Sequence, residues 1–140
     1  AFDNTVSRVL LIRKKRGPSF NIGKWNGIGG KIEPGESPRL AMSREFNEEC
    51  GISTDSVDWQ CFHIERHIAR REQTQGIHLS CMTTVLTYDQ FWAYQTTTDE
   101  QVCHVSVNSM DYQTCVYNMH YLLKMALVWH AYPDHRWIEG

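Results

Sequence analysis

Three glutamates are spaced so that they could share one face of an α-helix. Glu48 and Glu49 lie three and four residues after Glu45. Residues at this spacing are neighbours on a helix surface, where like charges destabilise the helix. Grouped carboxylate oxygens are the ligands that hard divalent cations such as Mg²⁺ prefer. The spacing therefore indicates a cation site. A solvated acidic helix face is the alternative.

The residues around these glutamates favour the cation site. From Gly30 to Ile52 the chain reads GKIEPGESPRLAMSREFNEECGI. This segment resembles the Nudix box, which consists of Gly, five residues, Glu, seven residues, Arg-Glu, an apolar residue, any residue, Glu-Glu, any residue, Gly and an apolar residue. Every required position is filled. The resemblance implies a hydrolase of nucleoside diphosphates linked to another moiety, and an α/β fold of the Nudix type, an α/β/α sandwich with a mixed β-sheet between helices.

The motif positions imply a role for each acidic residue. Glu48 and Glu49 correspond to the principal ligands of Mg²⁺, with Mn²⁺ as an alternative ion. The backbone carbonyl of Gly30 completes the inner shell in the family. Glu45 corresponds to a further metal ligand or to the general base, and the motif does not decide between them.

Three residues complete the implied catalytic set. Arg44 and Glu36 match the pair that, in the family, braces the loop against the helix through a salt bridge. Arg44 therefore belongs to the implied catalytic set, and Glu36 has a structural role. Family members often recruit a late glutamate as ligand or base. Glu100, just ahead of a predicted strand, is the candidate here. An ordinary loop acid is the alternative for Glu100.

Two segments before the helix resemble a narrower group, the MutT-like triphosphatases that act on oxidised purine nucleotides. Residues 14–17 read KKRG and residues 25–31 read WNGIGGK. This similarity implies that Lys14 and Lys31 lie near the phosphates and Asn26 near the base. The alternatives are a solvated strand end for the basic cluster and a turn-forming role for Asn26.

Tyr117 and Asn118 stand near the last predicted helix, where MutT-like enzymes often place base-recognising side chains. A tyrosine ring can stack on a purine, and an asparagine amide can both donate to and accept from its edge. Asn118 has an equally good alternative as the helix N-cap.

Local signals predict the elements that must position these residues. Ser37 is a good N-cap, Pro38 suits the first helical position and Gly51 suits the position after the last turn, so residues 38–50 are predicted to be helical. Glycines crowd the tight loop or short hairpin at residues 23–35. Hydrophobic patterning predicts strands at residues 8–12, 60–68, 77–87 and 102–107, polar loops at 70–76 and 96–101, and a helix at 119–131.

Composition restricts the classes of partner. The 140 residues are 41% hydrophobic and 21% charged, with a net charge of −2. We expect one globular domain over residues 1–140 with no global basic field for a nucleic acid polymer. No apolar run approaches the roughly 20 residues that cross a bilayer, so no membrane partner is expected. Five widely spaced cysteines without a Cys-x-x-Cys pair favour free thiols in the cytoplasm.

These observations predict a Mg²⁺-dependent enzyme that hydrolyses a nucleoside or deoxynucleoside triphosphate to the monophosphate and pyrophosphate. An oxidised purine such as 8-oxo-dGTP is the favoured substrate. The partner is then a small-molecule nucleotide, and the chain is expected to be a monomer or a homodimer. The alternatives are a pyrophosphatase of ADP-ribose, a nucleotide-sugar or a dinucleotide, and a Nudix nucleotide sensor without catalysis.

Overall fold

The computed structural model describes residues 1–67 and 76–135. Within these ranges the strands are β1 (Arg8–Arg13), β2 (Trp25–Asn26), β3 (Gln60–His67), β4 (Ile77–Thr83) and β5 (Val102–Ser106). The α-helices are α1 (Pro38–Cys50), α2 (Tyr88–Trp92) and α3 (Met119–Ala131).

Helix α1 begins and ends where its boundary signals predict. Ser37 Oγ accepts a hydrogen bond from Leu40 N at 3.2 Å, and Pro38 occupies the first helical position. Gly51 follows the last turn with φ of 74°, a left-handed conformation that glycine adopts without a Cβ penalty. The candidate carboxylates are therefore carried by a helix whose two ends are both stabilised locally.

The strands pair in two groups. β1 lies between β2 and β5, and β3 pairs with β4, all in antiparallel orientation. Parallel pairing comes from isolated bridges, Phe2 with Val85 and Trp25 with Cys115. Phe2 N donates to Thr84 O and Phe2 O accepts from Leu86 N, both at 2.9 Å. The sheet structure is therefore mixed, and Phe2 connects β1 to the segment after β4.

β1 is buried on both of its faces, which gives the fold its layers. Leu10 belongs to the core cluster that contains Phe46 of α1. Leu11, on the opposite face, belongs to the cluster that contains Leu123 of α3. Successive strand residues point to opposite faces, so one helix covers each side of β1. This is the predicted α/β/α sandwich, and burial of each large apolar side chain stabilises it by roughly 1.5–3 kcal/mol.

The turn before β1 folds around the carboxylate of Asp3, which is 7% exposed. Asp3 Oδ1 accepts from Ser7 N at 2.8 Å and from Arg8 N at 2.9 Å. Asp3 Oδ2 accepts from the hydroxyls of Thr5 at 2.7 Å and Ser7 at 3.3 Å. Val6, inside this turn, has φ of 56°, which is unfavourable for a β-branched residue. The hydrogen bonds to Asp3 hold the turn against this strain.

The strand predicted at residues 77–87 is too long. β4 ends at Thr83, and Thr87 is instead the N-cap of α2. Thr87 Oγ1 accepts from Gln90 N at 3.2 Å and Gln90 Oε1 accepts from Thr87 N at 3.0 Å. This reciprocal pair is a capping box, a local signal that the hydrophobic pattern obscured.

Smaller differences occur at other element ends. β3 is described to His67, so residue 68 of the predicted strand lies outside the described residues, as does the predicted loop at 70–76 apart from Gly76. Residues 96–101 contain no strand or helix, as predicted. β5 ends at Ser106, and Val107 begins a short 3₁₀ turn.

All five cysteines have free thiols. In residues 1–67 and 76–135, each helix is too short or too polar to cross a bilayer.

Candidate functional site

Helix α1 combines a buried apolar stripe with the predicted carboxylates. Phe46 and Cys50 are fully buried and fix the rotation of the helix against the core. The side chain of Glu45 is then 14% exposed, whereas that of Glu48 is 56% exposed. Glu49 is half-buried, so the three glutamates differ in their exposure to solvent.

Arg44 joins the glycine-containing loop to α1. Its Nε and Nη2 atoms donate to the two oxygens of Glu36 at 2.9 and 3.0 Å, and Nη2 also donates to Lys31 O at 2.9 Å. Nη1 donates to Glu45 Oε1 at 2.9 Å and lies 3.4 Å from Glu48 Oε2. These bonds lower the pKa of Glu36 and raise that of Arg44. Bidentate pairing of this kind adds geometric specificity.

Gly30 lies directly against the carboxylate of Glu45. A Cβ atom at position 30 would stand 2.2 Å from Glu45 Cδ and 2.3 Å from Glu45 Oε1. The atoms in the way form the end of the Glu45 side chain, so any larger residue at position 30 would displace that carboxylate.

The carboxylate of Glu49 meets the loop that precedes β5. Thr98 Oγ1 donates to Glu49 Oε2 at 3.0 Å and accepts from Glu100 N at 3.2 Å. Burial raises the pKa of Glu49; the charges of Glu100 and Glu45 raise it further, while Thr98 and Lys14 lower it. Glu49 therefore lies within electrostatic reach of both Glu45 and Glu100, although Glu100 comes from a distant part of the chain.

Glu100 is 7% exposed and is paired with the basic end of β1. Lys14 Nζ lies 3.3 Å from Glu100 Oε1 and 3.2 Å from Oε2. Arg16 pairs with Asp99, and its Nε lies 3.9 Å from Glu100 Oε1. Lys14, which is predicted to contact the phosphates, and Glu100, which is predicted to be a metal ligand or the base, thus form one ion pair. An acidic residue is rarely buried to this extent unless it is paired.

A cavity of about 790 Å³ opens beside α1, lined by residues from both core clusters. Asn26, Gly30, Lys31, Glu45 and Asn118 all border it. The structure therefore brings the predicted base-binding amides into the same cavity as the first glutamate of the helix and the glycine that contacts it. The volume is in the range of small-molecule sites.

Tyr117 and Asn118 differ in their surroundings. Asn118 occupies the N-cap position of α3, where its backbone carbonyl accepts from Leu122 N at 3.0 Å. Its side chain makes no capping hydrogen bond and borders the cavity. Tyr117 is 80% exposed and its ring stacks on that of His120 with centroids 5.9 Å apart. It is not among the residues that border the cavity.

Comparison with known proteins identifies the family. The NUDIX domain model matches residues 2–109. The chain belongs to the NUDIX family. A segment of 50 residues is 52% identical to an oxidized purine nucleoside triphosphate hydrolase from Danio rerio, covering 36% of this chain and 31% of that protein. A segment of 72 residues is 39% identical to the protein of the same name from Mus musculus, covering 51% of this chain and 44% of that protein. These matches span less than half of each relative.

Solved NUDIX structures share the fold. The NUDIX domain of Shewanella oneidensis NrtR, solved in complex with ADP ribose, aligns with a TM-score of 0.70 over 90% of this chain and 80% of that chain, at 18% sequence identity. At this identity the likeness concerns the fold alone. It agrees with the sandwich described above.

The family implies a divalent cation, and the carboxylates of this NUDIX domain have the chemistry to hold one. In the described part of the chain no three acidic, histidine or cysteine side chains are grouped closely enough to hold a metal ion; Arg44 engages Glu45 and Thr98 engages Glu49. Burial raises the pKa of Glu49, and the charges of Glu100 and Glu45 raise it further. A cation would relieve that repulsion, so the residues fit the ion.

Sequence reasoning missed the threonines that connect this NUDIX helix to Glu100. Thr97 and Thr98 contact Glu48 and Glu49 although they lie 49 residues away in sequence. The run Thr96-Thr97-Thr98 is typical of a polar loop, and no local signal indicates that it docks on α1. Phe62, which borders the cavity from an irregular point in β3, was also not singled out.

Proposed function

We propose that this protein is a metal-dependent pyrophosphohydrolase of nucleoside or deoxynucleoside triphosphates that releases the monophosphate and pyrophosphate, with an oxidised purine such as 8-oxo-dGTP as its substrate. One observation carries the proposal. Glu45 and Gly30 of the Nudix box border the same cavity as Asn26 and Asn118. A nucleotide whose base occupies the cavity would therefore extend its phosphates toward the carboxylates of α1.

The cation would be held by carboxylates of α1 and the adjoining loops. The proposed ligands are the side chains of Glu45, Glu48, Glu49 and Glu100 and the backbone carbonyl of Gly30. When bound, Mg²⁺ or Mn²⁺ neutralises phosphate charge and lowers the pKa of a water molecule.

The chain's own residues supply orientation and proton transfer. Lys14 and Lys31 are the proposed phosphate contacts, and Lys14 would do this from its ion pair with Glu100. Arg44 orients Glu45, which is one of two proposed acceptors for the proton of the attacking water. Glu100 is the other. Comparison of Glu45→Gln with Glu100→Gln across pH assigns the base, because only the base variant loses the acidic limb of the rate profile.

The two cavity amides are the proposed readers of the base. Asn26 Oδ1 accepts from Gly27 N at 2.9 Å, which orients the amide and leaves its NH₂ group as a donor. Asn118 offers a second amide without a capping bond. The donors and acceptors of the two amides suit a purine edge. The names of the relatives from Danio rerio and Mus musculus support an oxidised purine.

The test is pyrophosphate release from ordinary and oxidised nucleoside triphosphates, with ADP-ribose and a nucleotide-sugar beside them, with and without Mg²⁺. Glu48→Gln removes one proposed ligand, and Glu33→Gln is the matched control because Glu33 is exposed and lies outside α1. We expect metal-dependent release that is lost in Glu48→Gln and kept in Glu33→Gln.

Other outcomes would contradict the proposal in distinct ways. AMP formation from ADP-ribose alone would indicate the second class of substrate. Nucleotide that binds without being cleaved, equally in wild type and Glu48→Gln, would indicate a sensor.

A further inference from the structure

The segment from Gln95 to Thr98 docks on the carboxyl end of α1. Gln95 N donates to Cys50 O at 2.9 Å, and Thr97 N donates to Glu49 O at 3.4 Å. The hydroxyl of Thr97 donates to Glu48 O. The final carbonyls of a helix have no partner within the helix, so this segment, which we name the threonine loop (residues 95–98), serves as its cap.

Thr98 makes a different kind of contact from the rest of the threonine loop. Its hydroxyl reaches a side chain, donating to Glu49 Oε2 at 3.0 Å, and accepts from the backbone N–H of Glu100 at 3.2 Å. A hydroxyl has one donor and two acceptor positions, so a single group can make both bonds at once. The two acids that it joins come from α1 and from the loop before β5.

We propose that Thr98 is a positioning residue that holds the carboxylates of Glu49 and Glu100 in a fixed relation at the candidate metal site. The inference rests on the proposed function, because it concerns the same carboxylates. The carboxylate of Glu49 accepts the Thr98 hydroxyl at 3.0 Å, so Thr98 orients it. Lys14 holds the side chain of Glu100, and Thr98 links the backbone of Glu100 to the carboxylate of Glu49.

Three substitutions separate positioning from capping. Thr98→Val removes the hydroxyl but keeps the β-branched shape, whereas Thr98→Ser keeps the hydroxyl. Thr97→Val removes an equivalent hydroxyl from the same loop, but one that contacts only the backbone of α1. Thr97→Val should therefore lower the melting temperature without changing the carboxylate arrangement.

The first measurement is binding of Mn²⁺ alone, followed by the loss of the free-ion EPR signal. We expect Thr98→Val to weaken Mn²⁺ binding roughly tenfold, as for loss of a hydrogen bond to a charged group, and Thr98→Ser and Thr97→Val to stay within about twofold of wild type. In turnover of the preferred triphosphate, Thr98→Val should lower kcat more than it raises KM, since base binding does not involve Thr98.

The outcomes distinguish this inference from the proposed function. If wild type hydrolyses nucleotides and Thr98→Val matches it in Mn²⁺ affinity and kcat, Thr98 is not a positioning residue and the proposed function stands. If wild type cleaves nothing, Mn²⁺ binding still decides, because an unchanged affinity in Thr98→Val overturns the inference and a tenfold loss supports it. Equal losses in Thr97→Val and Thr98→Val would assign both residues to capping.

Discussion

The carboxylates of Asp3 and Glu49 are both partly or fully buried, but their surroundings shift their pKa values in opposite directions. Asp3 accepts four hydrogen bonds from its own turn. Although burial acts to raise its pKa, the hydrogen bonds more than offset this, and its pKa is lowered. Glu49 receives one hydroxyl hydrogen bond from Thr98, faces Glu100 and Glu45, and has a raised pKa.

The difference separates a structural acid from one suited to bind a ligand. The charge of Asp3 is stabilised within the protein, so ionised Asp3 contributes to folding. The charge of Glu49 is incompletely stabilised by its surroundings. A bound cation can supply the missing stabilisation of this charge. Until the cation binds, the uncompensated charge of Glu49 lowers the stability of the protein.

The largest expected effect comes from neutralising the acids of α1. Glu49→Gln and Glu48→Gln should each lower turnover by roughly 100-fold or more, about 2.7 kcal/mol of transition-state stabilisation. Removal of one like charge relieves repulsion in the metal-free protein, so the melting temperature should hold or rise. Steady-state kinetics and thermal melting in EDTA measure the two effects. A large fall in melting temperature with unchanged turnover would contradict the ligand assignment.

The reverse pattern is expected at Asp3. Asp3→Ala leaves Ser7 N–H and Arg8 N–H without their acceptor beside the strained residue Val6, which should cost about 2 kcal/mol of unfolding free energy. Turnover per folded molecule should stay at the wild-type value. Urea unfolding measures the loss.

Asp58→Ala is the matched control for Asp3→Ala, because Asp58 is exposed and its loss should change stability by less than about 0.5 kcal/mol. If Asp3→Ala abolished turnover in fully folded protein, the proposed contrast between the two acids would be wrong.

The same contrast between structural and ligand-binding groups can be tested at the amide of Asn118. Its side chain borders the cavity and makes no capping bond, so Asn118→Ala should leave the melting temperature nearly unchanged. It should raise KM about tenfold and reduce discrimination between bases, as expected when one hydrogen bond to a substrate is lost. Tyr117→Ala, one residue earlier but highly exposed, should change the ranking of bases less. An unchanged ranking in Asn118→Ala would exclude a reading role.

The predictable part of this molecule is the part with local signals. The bounds of α1 follow from Ser37, Pro38 and Gly51, because capping acts within a few residues. The stripe that holds Phe46 follows from helical periodicity. The contact between Gly30 and Glu45 agrees with the motif, in which only a glycine is accepted at that position.

The rest depends on contacts between distant segments. Nothing near Thr98 in sequence indicates that its hydroxyl meets Glu49, since the approach is set by packing of the whole sheet. The pairing of Lys14 with Glu100 likewise joins two residues whose roles were predicted separately. α2 was missed for another reason, because the apolar and β-branched residues before Thr87 extended the predicted strand over a capping box.

The smallest expected effect concerns pH and tests the Asp3 half of the comparison. Its pKa is lower in the folded protein than in the unfolded chain, so the ionised group stabilises the fold above the unfolded value, and this contribution is lost as pH falls through the folded value. Asp3→Asn keeps an acceptor but not the charge. The unfolding free energies of wild type and Asp3→Asn should therefore differ most near pH 7 and converge as the solution is acidified below pH 4, whereas Asp58→Asn should track wild type throughout. Urea titrations at a series of pH values measure this difference, and a gap that is constant with pH would mean that hydrogen-bond geometry, and not charge, accounts for the contribution of Asp3.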